Sequence, residues 1–233
     1  MQHFLVDQDI SGEHAVISDE EMLHQMKNVL RFVKGDECVL MDGKGSKVQA
    51  VVENIDKKTI IMNLASREQI DHSNRRAALY VAVSKKPATF ELIIQKATEL
   101  GITDIIPLVT ERCQVREIRN QKRLLHIIKE ATEQSERAFL PELHEVLKWS
   151  DFLKNKPGGK ILTGDARMHD LKLGGLKLSD LDDINLVIGP EGGLTDKELS
   201  DIHEIGGEIF ILRDTVLRME TAAIAAMSII LCR

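Results

Sequence analysis

The spacing of apolar positions changes partway along the chain. Through "DECVLMDGKGSKVQAVVENIDKKTIIMNLA" the apolar residues come in short runs broken by turn formers. Asp42-Gly43 and Lys44-Gly45 fit a hairpin turn between strands at Cys38–Met41 and Val48–Val52, and Asn54-Ile55-Asp56 precedes a further run at Thr59–Leu64. Short strands at this spacing predict a small β-barrel. One helical segment interrupts them, "SDEEMLHQMKNVLRF". Ser18 with Glu21 reads as a capping box at its start, and Met22, Met26, Val29 and Leu30 form its apolar stripe. "SREQIDHSNRR" is polar and without period. A boundary there divides the chain into a first domain of residues 1–70 and a second of residues 74–233.

From Ala77 onward the pattern alternates between buried strands and amphipathic helices. "ALYVAV", "DIIPLVT", "GKILTG", "INLVIG" and "EIFIL" read as strands. "PATFELIIQKATELG" reads as a helix with Phe90, Ile93, Ile94, Ala97 and Leu100 on one face, Pro87 in its first turn and Gly101 at its end. A longer helix is expected from about Asn120 to Phe139, with Leu124, Ile128 and Ala131 inward. "TDKELSDIHEIGG" and "TAAIAAMSIIL" complete the set. Alternation of this kind gives an α/β fold with a parallel sheet covered by helices. Ligands of such sheets sit beyond the carboxyl ends of the strands. Three strand-end turns therefore become candidates: Thr163-Gly164-Asp165, Gly189–Gly193 and Arg213–Glu220.

Composition narrows the class. A chain of 233 residues, 43% hydrophobic and 29% charged, suits one large or two small globular domains. The longest apolar run, Ala222–Cys232, is too short to span a bilayer, and the first residues lack the basic start and apolar stretch of a signal peptide. Cys38, Cys113 and Cys232 lie far apart, which reads as a reducing, cytoplasmic setting and argues against structural zinc. A net charge of −6 speaks against non-specific nucleic-acid binding but leaves room for a local basic patch. With aromatics at 3%, extensive base stacking is not expected.

The strand-end turns carry the candidate chemistry. Neither GxGxxG nor GxxxxGK[ST] occurs, so dinucleotide and phosphate-loop mechanics are missing. In Gly189-Pro190-Glu191-Gly192-Gly193 the paired glycines allow close backbone approach, and Pro190 stiffens the turn. The turn is either a backbone cradle for an adenine edge or a plain tight connection. In "ILRDTVLRMETAAIAAM", Arg218 and Glu220 stand just before a wholly apolar helix. Charges there need partners. They form either an Arg218–Glu220 or Arg218–Glu191 ion pair, or a cation aimed at an anionic substrate. In "KEATEQSERAFLPEL" the apolar stripe runs into Gln134 and Ser135, followed by Arg137 and Pro141. This reads as a site, a subunit contact or a frayed helix end. The eight histidines include no HExxH and no close cluster with acids, so no metal is expected.

"KATELGITDIIPLVTERC", "KEATEQSERAFLPEL", "IGPEGGLTDKEL" and "ILRDTVLRMETAAIAA", in this order and spacing and together with "HQMKNVLRFVKGDECVLMDGKG", resemble the bacterial small-subunit (16S) ribosomal RNA uridine N3-methyltransferases of the SPOUT superfamily. The resemblance covers essentially the whole chain. It implies a small N-terminal PUA-like β-barrel that binds RNA, then a SPOUT α/β domain with a C-terminal deep trefoil knot. It also implies S-adenosylmethionine as cofactor, a homodimer, and small-subunit ribosomal RNA or the 30S subunit as partner. Carried over position by position, the cofactor pocket consists of Thr163, Gly164, Ile188, Gly189, Glu191, Gly192, Gly193, Leu212, Leu217 and Met219. Arg218 and Glu220 are the expected catalytic pair. Arg218 would stabilise the uridine anion and Glu220 would orient it or relay a proton. Lys27, Arg31, Arg112 and Arg137 are candidate RNA contacts. Two other readings stay open: ribose 2′-O methylation on the same scaffold, and a non-catalytic RNA-binding assembly factor.

Overall fold

The computed structural model describes residues 1–71, 75–167, 179, 183–213 and 215–232. The chain divides into two compact units. The first is Met1–His72 with Thr132–Leu140, and the second is Ser73–Ala131 with Pro141–Arg233. The chain thus returns to the first unit after leaving it, which a single boundary near residue 70 did not anticipate.

The first unit holds a five-stranded sheet in the order β1-β3-β4-β5-β2, from β1 (Gln2–Leu5), β2 (His14–Ile17), β3 (Glu37–Met41), β4 (Ser46–Ile55) and β5 (Ile60–Gln69). The expected hairpin joins β3 to β4, with Leu40 opposite Val48. Asp42 fixes the turn by accepting the Lys44 and Ser46 amides at 2.7 and 2.9 Å. Bulges at Val48/Ala50 and Val52/Asn54 bend β4 and β5. No pairing of β1 with β2 appears among the described residues, so the strands of the expected small barrel form an open ladder there. The polar stretch Ser66–Gln69 is not linker. It continues β5 along Ser46–Val48, exposed but hydrogen-bonded.

The predicted helix begins one residue late. Asp19, not Ser18, caps α1 (Glu20–His24) by accepting the Met22 amide. It then widens into a π-helical stretch, Gln25–Val29. The wider turn adds a residue per repeat and rotates the face. Met22 and Met26 are buried as expected, but Val29 is 63% exposed. With Leu23 they pack beneath Phe4, Leu40, Val52 and Met62. Each fully buried side chain of this size contributes about 1.5–3 kcal/mol.

In the second unit a parallel sheet runs β12-β10-β11-β6-β7-β8, with β9 also on β7. The strands are β6 (Ala77–Ala82), β7 (Asp104–Val109), β8 (Glu142–Leu143), β9 (Leu147–Lys148), β10 (Lys160–Gly164), β11 (Ile184–Ile188) and β12 (Glu208–Phe210). Every residue of β6 and β11 is buried, as strands covered on both faces require. Leu79, Val81 and Leu186 meet Phe90, Ile94, Ala223 and Met227, from α2 (Pro87–Leu100) and α6 (Met219–Leu231). Ala78, Tyr80 and Val187 meet Phe152 of α4 (Trp149–Lys154) and Leu199 and Ile202 of α5 (Asp196–Glu204). Gly101 ends α2 at φ 101°, where a side chain would be strained. The long helix is shorter than expected. α3 covers Gln121–Gln134, and the chain turns at Glu136, φ 56°. The segment after it belongs to the first unit: Gly45 donates to the Ala138 carbonyl at 3.0 Å and Leu140 donates to that of Gly43 at 3.0 Å. The short β8, β9 and α4 had no signal in the apolar pattern.

Candidate active site at the carboxyl edge of the sheet

The carboxyl ends of β10, β11 and β12 open onto a cavity of about 340 Å³. Its size falls in the range of small-molecule pockets, roughly 300–1,000 Å³. Three chain segments wall it: Gly164–Arg167, Ile188–Leu194, and Phe210 to Ala222 in part. Ile188, Phe210, Leu212, Leu217 and Met219 give it apolar surface. The backbone of the Gly-Pro-Glu-Gly-Gly turn gives it polar edges. That turn closes with the Gly193 amide on the Pro190 carbonyl at 2.8 Å. Gly193 has φ 69°, and a Cβ added there meets nothing within 4 Å, so the turn presents bare backbone to open space. At Gly189 a Cβ would come within 3.1 Å of the Leu194 side chain and amide. Both positions exclude side chains, one by dihedral and one by contact.

Two arginines brace the turn from either side. Arg112, just after β7, donates to the Gly192 carbonyl at 2.7 Å and to that of Leu194 at 3.3 Å. Arg167, after β10, donates to the Leu194 carbonyl at 3.0 Å, to Asp165 through Nε and Nη2 at 2.9 and 2.8 Å, and to Asp196 at 2.5 Å. Burial raises the Asp165 carboxyl, but hydrogen bonds from the Arg167 side chain and amide outweigh it and hold the group below the usual carboxylate range. Behind the turn, Thr195 and Glu198 form a capping box on α5, and the same Glu198 accepts the Glu111 amide at 2.8 Å. On the facing side the Ser84 hydroxyl, at the end of β6, donates to Glu191 at 2.6 Å.

The model of the RNA methyltransferase domain matches residues 71–231, and that of the RNA methyltransferase PUA domain matches residues 19–64. The ribosomal RNA small subunit methyltransferase E of Rickettsia conorii is 32% identical over 216 residues, spanning 91% of this chain and 87% of that one. Its counterpart from Synechocystis is 34% identical, over 93% of this chain and 72% of that one. A crystal structure of the Neisseria gonorrhoeae ribosomal RNA small subunit methyltransferase E bound to S-adenosyl methionine superposes with a TM-score of 0.86 at 28% identity, covering 98% and 95% of the two chains. The chain belongs to the ribosomal RNA small subunit methyltransferase E family.

Seen as a member of this family, the molecule gathers most of the expected residues. Gly164, Ile188, Gly189, Glu191, Gly192, Gly193, Leu212, Leu217 and Met219 all line the one cavity. Thr163 does not. It is fully buried, and its hydroxyl donates to the Val187 carbonyl at 3.0 Å inside the sheet. Arg218 and Glu220 stand beside the cavity wall, as the N-cap and first turn of α6, and are not among its lining. Of the alternatives left open for Arg218, neither an Arg218–Glu220 nor an Arg218–Glu191 ion pair is found among the described residues, and Arg218 is exposed. Exposure removes the need for a partner that proximity to an apolar helix had suggested. Arg112, expected on RNA, is engaged on the turn. Arg31 is exposed in the left-handed region, φ 57°. Lys27 donates to the backbone carbonyls of Asp56 and Lys57. Arg137 is half-buried, and desolvation lowers its pKa to about 10, still charged near neutrality. Ser84, Arg167 and Phe210 were not foreseen; Asp165 and Arg213 lie in two of the candidate turns but had been given no role. Ser84 and Glu191 are 107 positions apart, so only the sheet brings them together.

Proposed function

We propose that the protein transfers a methyl group from S-adenosylmethionine to N3 of a specific uridine in small-subunit ribosomal RNA. The observation that carries this reading is the single cavity formed by the glycine-rich turn and the segment before α6, in a chain alike over nearly its whole length to a relative solved with S-adenosyl methionine. The cavity suits that cofactor. Ile188, Phe210, Leu212, Leu217 and Met219 can face its apolar parts, and the turn backbone from Gly189 to Gly193 can meet its polar edges. The cofactor supplies a methyl group already activated on a sulfonium.

What remains for the protein is alignment and charge. Uridine N3 attacks only once its proton is gone, so the site must hold the base in line and favour its anion. Arg218, exposed beside the cavity at the positive end of α6, is the residue we assign to that anion. Glu220, in the first turn of the helix, orients Arg218. The base must leave any pairing to expose N3. Lys27 and Arg31 in the first unit, with Arg137, are the proposed phosphate contacts. Either naked RNA or the 30S subunit can present such a base.

The deep trefoil knot that the resemblance implies is part of the proposal. In its support, α6 packs on α2, and described residues at the end of β12 and before α6 line the same cavity as the Gly189–Gly193 turn. A homodimer is likewise part of the proposal. α6 carries no charged residue after Glu220, yet Ile229 is 41% exposed, and Val216 before it is 88% exposed. The proposed contact is between these surfaces of two copies of the chain.

The test is transfer of labelled methyl to small ribosomal subunits from a strain lacking the enzyme, followed by nucleoside mass spectrometry. The expected product is N3-methyluridine. A label on ribose would establish 2′-O methylation instead, and cofactor binding with no label on RNA would establish an assembly factor.

A further inference from the structure

Removing the N3 proton requires an acceptor at the cavity. Among the described residues that line it, only Asp165 and Glu191 carry a carboxylate. Their surroundings differ sharply. The Asp165 side chain is 7% exposed and held through both oxygens by Arg167. Those bonds stabilise its charged form and make it a poor base. Glu191 is exposed on the cavity wall and forms no ion pair among the described residues. Among the described residues its one side-chain bond is from the Ser84 hydroxyl, at 2.6 Å to Oε1. Ser84 is itself 5% exposed and accepts the Lys86 amide at 3.0 Å, so its hydroxyl is held pointing at the carboxylate. The result is a carboxylate with one oxygen anchored and the other, Oε2, without a partner among the described residues, on a turn stiffened by Pro190. The charged groups that share its surroundings are Arg112, Asp165, Arg167 and Arg213 in the cavity, with Lys85 and Lys86 following Ser84.

We propose that Glu191 is the general base for methyl transfer and that Ser84 is the residue that positions it. This rests on the uridine reading above. In the step, the N3–H proton passes to Glu191 Oε2. The pair left on N3 forms the new bond to the methyl carbon, and the pair of the broken methyl–sulfur bond stays on sulfur as the neutral thioether. Glu191 ends protonated and returns its proton to water. Arg218 and Glu191 then divide the work: one favours the charge on the uridine oxygens, the other takes the proton.

A latch role for Glu191 is the rival, since the Ser84 bond also ties the turn to β6. Glu191→Gln separates the two because an amide oxygen still accepts from Ser84 but takes no proton. The parent protein is first shown by nucleoside mass spectrometry to methylate uridine N3 on undermethylated small subunits; a product elsewhere overturns the uridine reading itself. Single-turnover rates are then measured across pH at saturating S-adenosylmethionine, with calorimetric affinity for S-adenosylhomocysteine and Tm on the same samples. Glu191→Gln is expected to keep affinity and Tm, to lose roughly 10²- to 10⁴-fold in rate, and to lose the acid limb of the profile. Ser84→Ala removes a bond to the charged carboxylate, so the acid limb should move to higher pH while affinity holds. That shift reads the base even where the glutamine variant folds poorly. A glutamine variant at the parent rate, one that loses affinity but reaches the parent rate at saturation, or an unmoved acid limb in Ser84→Ala overturns the proposal.

Discussion

The two edges of the second unit's sheet are built from the same strands and serve opposite ends. At the amino edge, charges are sealed into a network. Arg76 donates to Asp104 at 2.9 Å and to Asn185 at 3.2 Å, and its amide donates to Asp183 at 2.8 Å. Asp104 also accepts from Thr103 at 2.6 Å and pairs with His144 at 2.9 Å, with Glu142 close to the same histidine. Asp104, Glu142 and His144 come close enough to suggest a metal, a grouping invisible in sequence, but Arg76 already neutralises the central carboxylate. At the carboxyl edge, arginines are engaged as well, yet they hold backbone carbonyls of a glycine turn and leave a cavity between. The lesson is where polar groups end. Satisfied by one another they fix strand order; bound to turns they shape a site.

Changes at the carboxyl edge should therefore alter chemistry more than folding, and changes at the amino edge the reverse. Beyond the Glu191–Ser84 pair, the largest effect is expected from Arg218→Ala. Loss of one preorganised stabiliser lowers the transfer rate by roughly 10²- to 10³-fold, while an exposed side chain without a carboxylate partner among the described residues leaves Tm almost unchanged. Partial rescue should appear at higher pH, where more of the uridine is already ionised. A destabilised but catalytically normal variant would show that the arginine is structural after all.

Gly193→Val comes next. A β-branched residue at φ 69° costs about 1–3 kcal/mol of backbone strain, and its side chain projects where the ligand is proposed to lie. Calorimetry should show S-adenosylmethionine affinity reduced by at least about tenfold, equal to ~1.4 kcal/mol. Full affinity in a folded variant would remove the turn from the binding site.

Asp104→Asn tests the opposite edge. Burial pushes this carboxyl upward, but hydrogen bonds from Thr103, Arg76 and His144 outweigh it and hold the pKa below the ordinary value. A depressed carboxylate contributes stability above its unfolded pKa and loses it as pH falls through the folded one. The variant should be about 1–3 kcal/mol less stable near neutral pH, and the two proteins should converge in acid. Cofactor affinity should not move. Denaturant melts at several pH values check the first claim and calorimetry the second.

The smallest effect is expected from Arg112→Ala. Two bonds to turn carbonyls are lost at an exposed side chain, so cofactor affinity should fall by no more than about tenfold, or ~1.4 kcal/mol. The salt dependence of RNA binding should hold. A flatter salt slope with unchanged cofactor affinity would return Arg112 to the RNA-contact role first expected of it.

The sequence by itself determined the elements whose causes are local. The alternation of buried strands with amphipathic helices announced a parallel α/β sheet, because strands covered on both faces must be largely apolar, as "INLVI" is but for Asn185. Pro87 and Gly101 marked the limits of α2 through their own dihedral restrictions. The three strand-end turns were legible because glycines and charges at the end of an apolar run have few other uses. Tertiary structure decided whatever depends on distant partners or on small shifts in register. Nothing local marks the π-helical stretch that turned Val29 outward, or the return of Thr132–Leu140 to the first unit. Thr163 sits in a predicted turn, but strand pairing aims its hydroxyl at Val187 rather than the cavity. Arg112 reads as a surface charge until β7 sets it beside Gly192. Ser84 reads as nothing at all until β6 and β11 lie side by side and bring it to Glu191. Hydrogen bonds of this kind are fixed by which strands are neighbours, and strand order is a property of the whole folded unit, not of any stretch of its sequence.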